Sequence, residues 1–383
     1  MELTYEKKEK IRTPINWFAV FMSLMLFQTS YLRLGTITAF VSLLLVIITA
    51  WMSQNISLSH FRLSADSIIL IVFLICTFII TFFYGSLPGS FSRYAAQIIL
   101  CVVLMAMPSI NDKETDFLEK VFILASVVYA ILIIISCYRL AGQRYYHGSI
   151  VLFNTELDPN FVGIPLVATS VLVLNKILCK GKRLLNIFFY IVLAIAIVYT
   201  ASRGNMLSFI LSNALLVLVY MRKKNVAFYV KAIWIIFIAV AIIYLSNYLS
   251  VFLPEQWKRV FMVGEGSDNG RFELWKRAIE AWGMHPVFGN GLGSMYRIFG
   301  KATHNTYFQL LSETGLLGFL LFVAFLINLL RKTFKFDKVY FCLLLGCLFQ
   351  IAFLDALDNR CLWVILCWMA LLPKNREVLE VCS

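Results

Sequence analysis

The chain has 383 residues, 61% of them apolar and only 14% charged, with a formal net charge of +13. Soluble domains carry about 25% charged residues, so this composition excludes an ordinary soluble protein and points to a polytopic membrane protein. The nine cysteines are odd in number, form no CxxC pair and lie mostly inside apolar runs. That pattern excludes a disulfide framework and a zinc site and leaves them as small packing residues.

In chain order, "KKEKIRTP" precedes the apolar run "INWFAVFMSLMLF" with no small-residue cleavage site after it. It reads as an uncleaved first span. Apolar runs of roughly 20 residues predict about twelve spans in one integral-membrane domain. They lie near 15–32, 34–52, 67–84, 93–110, 117–137, 161–178, 185–201, 204–221, 227–250, 304–330, 339–354 and 360–373. Alternate loops are rich in Lys, among them "KKEKIR", "KILCKGKR", "RKKN" and "RKTFKFDK". The excess of basic residues in short cytoplasmic loops then places both termini in the cytoplasm. The positive charge is thereby accounted for by topology, and no nucleic-acid partner is expected.

The opposite face is rich in Arg instead, including Arg93, Arg203, Arg271 and Arg277. Topology does not demand arginine there. A single one can snorkel to lipid head groups, but the set suits a face that grips a phosphate or carboxylate through planar, two-pronged hydrogen bonds.

Two outer segments are long enough to have structure. The first, at 137–163, carries Arg139, Arg144, His147, Glu156 and Asp158, with "DPN" as a turn before the next span. The second, at 251–303, precedes the tenth span. Within it "SDNGRFELWKRAIEAWGMHP" predicts an amphipathic helix capped by Ser267, Asp268 or Asn269 and stopped at His285-Pro286. Phe272, Trp275, Ile279 and Trp282 give it one aromatic face, for the membrane interface or the roof of the bundle. The "FGNGLGSM" that follows is a connector; no GxxxxGK[ST] phosphate loop is present.

Arg203 stands in "ASRGN", the only polar residues between two apolar runs, and an ionisable residue so near the hydrocarbon is a site candidate. The tenth span opens on "THNTYFQLLSETGLLG". At 100° per residue, Asn305, Gln309, Ser312 and Glu313 form a polar stripe below His304. Interhelical hydrogen bonding explains that stripe at least as well as catalysis, and Glu313 is a candidate partner for an outer-face arginine.

"SRG" at 202–204, "GRFELWKRAI" at 270–279 and "HNTYFQLLSETGLLG" at 304–318 occur in that order. Together they resemble the bacterial O-antigen ligase and Wzy-type polysaccharide polymerase superfamily. The resemblance implies an all-α, GT-C-like bundle and a metal-independent glycosyltransferase without cofactors. Its donor would be a glycan on undecaprenyl pyrophosphate, handled at the outer face of the cytoplasmic membrane, with a flippase and a chain-length regulator as companions. By motif, Arg203 and Arg271 would hold the pyrophosphate and His304 would be the general base. Arg277, Asn305, Arg93, Asp158 and Glu313 are further substrate-binding candidates. Asp158, Asp355 and Asp358 are too far apart in sequence to suggest a metal cluster and read as structural or sugar-binding. The shared motifs do not separate a polymerase from a ligase acting on lipid A core; polymerase is the preferred expectation. The rival class is a transporter, including a flippase for lipid-linked oligosaccharides, but no internal repeat is visible and the polar groups cluster outside rather than at mid-depth.

Overall fold

The computed structural model describes residues 11–26, 44–45, 48–49, 64–84, 109–140, 150–152, 155–179, 183–223, 270–357 and 359–373. The expected spans at 34–52, 93–110 and 227–250, and Arg93, Ser267, Asp268, Asn269 and Asp358, fall wholly or mostly outside these residues. The elements are α1 (Thr13–Leu26), α2 (Ala65–Phe83), α3 (Asp112–Leu140), β1 (Ile150–Leu152), β2 (Thr155–Leu157), α4 (Pro159–Leu178), α5 (Arg183–Tyr199), α6 (Arg203–Lys223), α7 (Arg271–Met284), α8 (Ser294–Phe299), α9 (Thr306–Phe336), α10 (Lys338–Gln350), a 3₁₀ turn (Ile351–Phe353) and α11 (Arg360–Leu371).

Among the described residues, five helices are long and apolar enough to cross a membrane: α2, α3, α4, α6 and α9. Helices α1, α5, α10 and α11 are apolar but shorter. Among the described residues the departure from an all-α fold is a small antiparallel hairpin between α3 and α4, pairing Ile150 with Leu157 and Leu152 with Thr155. It forms because Ile150, Leu152 and Leu157 turn the same way and are buried in the main core.

Helices α4, α10 and α11 form the centre. In α11 Trp363 and Trp368 are fully buried, and Trp368 packs on Phe122 of α3 and Tyr340 of α10. The rim is apolar and uncovered: Phe82 and Phe83 of α2 and Leu184 of α5 are exposed. On a bundle of this hydropathy, such a rim is the surface that meets lipid tails.

The two ends of the bundle differ chemically. At one end Glu119 of α3 meets Lys176 of α4 at 2.6 Å and accepts a hydrogen bond from the Tyr340 hydroxyl at 2.8 Å. Lys332 of α9 donates to the Ala370 carbonyl near the end of α11. The other end gathers the starts of α4, α6, α9 and α11 with the finish of α10, and every described motif singled out in the sequence lies there.

Candidate functional site

Two tight turns form the floor of this end. The first links α5 to α6. Ala201 takes a left-handed φ of 49°, and Ser202 then caps α6, its Oγ accepting from the Asn205 amide at 3.3 Å. Arg203 is the first helical residue and is half-buried. The second turn precedes α9. His304 has φ 51°, and Asn305 then caps the helix, its Oδ1 accepting from the Tyr307 and Phe308 amides at 2.9 and 3.1 Å. Ala201 and His304 are the non-glycine residues with positive φ among the described residues. Each costs on the order of 1–3 kcal/mol and persists only where its surroundings over-determine it. Both strained positions adjoin a sequence motif.

The surroundings of the first turn are amides. Ser202 Oγ donates to Asn160 Oδ1 at 2.6 Å. Asn205 Nδ2 donates to the Pro159 carbonyl at 2.8 Å and to Thr200 Oγ1 at 3.1 Å. Gln350, at the end of α10, donates to Asn205 Oδ1 at 2.6 Å and to the Asn160 carbonyl at 3.2 Å. Gly163 makes room for this cluster, since a Cβ there would stand 2.1 Å from Asn205 Cγ. Asp158 is exposed and caps α4, accepting from both the backbone and the side chain of Asn160. Its observed role is therefore to aim Asn160 at Ser202.

The second turn rests on Asp355. Its carboxylate accepts from the Thr303 hydroxyl and from the His304 amide (2.7 Å), with the Asn305 amide at 3.4 Å. The His304 ring is 46% exposed, with Nδ1 3.9 Å from Asp355 Oδ2. Thr306 Oγ1 donates to the Leu354 carbonyl at 2.6 Å and accepts from the Ala356 amide at 2.9 Å.

One short segment, residues 350–356, thus touches both turns. Gln350 binds the amides beside Ser202, and Phe353 lies over Gly204, where a Cβ would meet the Phe353 Cβ at 3.0 Å. Asp355, two residues further on, carries the His304 turn. The α10–α11 connector is the strut that fixes Arg203 and His304 at the same end of the fold.

Over this floor lies the segment 270–300. Gly270 takes φ 73° and opens α7, whose buried face is Leu274, Ala278 and Ala281. The aromatic face expected to define the helix points the other way: Phe272 and Ile279 are exposed. Small residues let α7 lie close to α9, while the larger ones are free for the interface. Trp275 is the exception, stacking on Phe308 with centroids 5.6 Å apart. Arg271 stands one turn before Trp275 and His304 one turn before Phe308, so this stack sets the starts of α7 and α9 side by side. Arg277 pairs with Glu273 at 3.1 Å and lies over the Phe299 ring at 5.8 Å. An exposed pair at i, i+4 is worth only about 0.3–0.5 kcal/mol, so a phosphate could displace Glu273.

The expected tenth span is not one helix. Gly315 breaks α9, with φ 65° and ψ −170°. The connector 286–291 crosses the break and fills its open hydrogen bonds. Leu316 and Leu317 amides donate to the Pro286 and Val287 carbonyls, and Asn290 and Gly291 amides donate to the Ser312 and Glu313 carbonyls. Irregular backbone at such a position is tolerated because protein covers it. Glu313 is only 2% exposed. The Gly293 and Met295 amides and Gln309 hold its carboxylate, rather than the arginine that the sequence suggested. Ser312 binds carbonyls of its own helix. Within the polar stripe under His304, Glu313 thus holds the loop that crosses the break, Asn305 caps the helix and Ser312 binds its own helix.

The structure therefore brings Arg203, Arg271, Arg277, His304 and Asp158 to one end, buries Glu313 beneath them and commits Asn305 to its cap. Among the described residues no three His, Cys, Asp or Glu side chains gather as cation ligands.

Residues 188–323 match the family model Wzy_C, O-antigen ligase. The matched stretch is just over a third of the chain and contains "SRG", "GRF" and "HN…ETG" in full. It ends before Gln350 and Asp355, the residues that join the motifs in space. A search of curated proteins gave no match.

Proposed function

We propose that this Wzy_C protein is a glycosyltransferase of the outer face of the cytoplasmic membrane, joining repeat units carried on undecaprenyl pyrophosphate into a polysaccharide. The observation that carries this reading is the shared strut: the α10–α11 connector holds an arginine-bearing turn and a histidine-bearing turn at one end of an apolar bundle. Arg203 and Arg271 bind the donor pyrophosphate and stabilise charge as it leaves. His304 accepts the proton of the acceptor hydroxyl. The acceptor oxygen bonds to the anomeric carbon while the bond from that carbon to the pyrophosphate oxygen breaks, its electron pair leaving with the phosphate. A histidine is suited to this because it is neutral near pH 7 and can take a proton. One displacement inverts the anomeric centre, and neither a metal nor a cofactor is required.

A second reading has support of its own, since the matching family is described as O-antigen ligase. In that reading the acceptor is a sugar of lipid A core and the donor carries a finished chain. Deletion of the gene separates the two. Single repeat units left on the lipid carrier or acceptor support polymerisation, and full-length polymer stranded on the carrier supports ligation. Units that remain unflipped on the cytoplasmic face would remove both readings in favour of transport.

A further inference from the structure

We infer that the corner between α9 and α10 holds an anionic phospholipid, its phosphate gripped by Arg331 and Lys335 and an acyl chain lying along Ile327, Leu330, Phe334 and Phe341. The site lies at the end of the bundle away from His304 and is independent of the chemistry proposed there. Helix α9 gives way to α10 across one residue, Asp337, and the corner leaves a groove lined by those six residues. Ile327, Arg331, Phe334 and Lys335 follow one another at i, i+4, i+7 and i+8, so they share one face of α9. Beneath the cations the groove is apolar and open, with Ile327 41% and Phe334 49% exposed. Phe334 meets Phe341 edge-on with centroids 5.1 Å apart, which joins the two helices into one wall.

Charge selects the occupant. The stretch "RKTFKFDK" (331–338) carries four cations, and the fold uses two of them itself. Lys332 donates to the Ala370 carbonyl, and Lys338 donates to the Phe334 carbonyl at 2.7 Å. Asp337, the acid of the corner, caps α10 by accepting from the Val339 amide at 2.9 Å. Arg331 and Lys335 are exposed and one turn apart, and among the described residues neither pairs with a carboxylate. Topology accounts for cations here, but not for an open aromatic wall beneath them. A diacyl phospholipid satisfies both. The guanidinium and the ammonium take phosphate oxygens, the chain covers the wall, and basic pockets between spanning helices take anionic head groups in this way. Net charge then sets the choice of lipid. Phosphatidylethanolamine brings its own ammonium to the phosphate, whereas phosphatidylglycerol leaves the anion to the protein.

The test uses the full-length protein in an uncharged detergent. Its thermal midpoint is followed as phosphatidylglycerol or phosphatidylethanolamine is added, since a lipid that binds the native state raises it. Phosphatidylglycerol should act at a concentration about tenfold or more below phosphatidylethanolamine, because each cation near the phosphate adds several-fold. Arg331→Gln and Lys335→Gln should each lose several-fold of that preference, with the midpoint in detergent alone unchanged because both side chains are exposed. Arg331→Lys, which keeps the charge, should retain more of the preference than Arg331→Gln. Lys113→Gln, at an exposed position of α3 at the same end, should retain all of it. An equal response to the two lipids, an undiminished preference in both Gln variants at the groove, or an equal loss in Lys113→Gln would overturn the site. So would glycerophosphoglycerol, the head group without chains, if it competed as well as the intact lipid, for the corner would then bind a phosphate and not a lipid.

Discussion

Gly289 and Gly315 cross so closely that a Cβ on Gly289 would stand 2.4 Å from the Gly315 amide nitrogen, and one on Gly315 would stand 2.4 Å from the Val287 carbonyl oxygen. This crossing locks the loop leaving α7 into the break in α9, and so sets the segment that carries Arg271 against the one that carries His304.

Gly315→Ala should therefore be severely destabilising, by about 3 kcal/mol or more, because its φ and ψ lie in a region open essentially to glycine alone and its space is taken by backbone. Gly283→Ala, inside α7 with open space around it, should be neutral or stabilising by up to about 1 kcal/mol. Thermal unfolding of the detergent-solubilised protein compares the two; equal midpoints would mean that the crossing is not rigid.

The arginines should separate by position. Arg203→Ala and Arg271→Ala are expected to abolish polymer formation while the protein still inserts in the membrane, since each opens a helix at the site and is assigned to the pyrophosphate. Arg277→Ala, whose guanidinium is shared with Glu273 and Phe299, should lower activity by about tenfold or less. Activity is read as polymer length on gels, with membrane content measured by immunoblot. Normal long-chain product from Arg203→Ala or Arg271→Ala would remove that residue from the site.

Much of this was legible in the sequence, for physical reasons. The helices α2 to α6 begin and end within a few residues of the apolar runs that predict them, because turn residues such as Asp158 and Ser202 stop and start them. The described motifs also fall together at one end of the bundle. What could not be read was anything carried by distant partners. Asp355 binds a turn 51 positions away, and Gln350 reaches back 145 positions to Asn205. The signal they left was faint: amide and acid residues at the edge of apolar runs, where side chains must find protein partners. The break at Gly315 was hidden for the opposite reason, since "ETGLLGFLL" continues as an apolar string whether or not the helix does. Glycine inside it hinted at close backbone approach, but its partner Gly289 lies in a different element. The helix α7 shows a third limit. Aromatic periodicity marked a face correctly, but the face that packs is the one with small side chains.

The central claim is that His304 takes the acceptor proton in transfer from a lipid-linked donor. The most direct measurement is turnover of purified undecaprenyl-pyrophosphate-linked repeat units by the full-length protein, wild type against His304→Ala, at matched amounts of folded protein. The account predicts that His304→Ala still binds the donor but forms no new glycosidic bond, leaving the lipid-linked units intact. Polymer or transferred glycan produced by His304→Ala at the wild-type rate would contradict it.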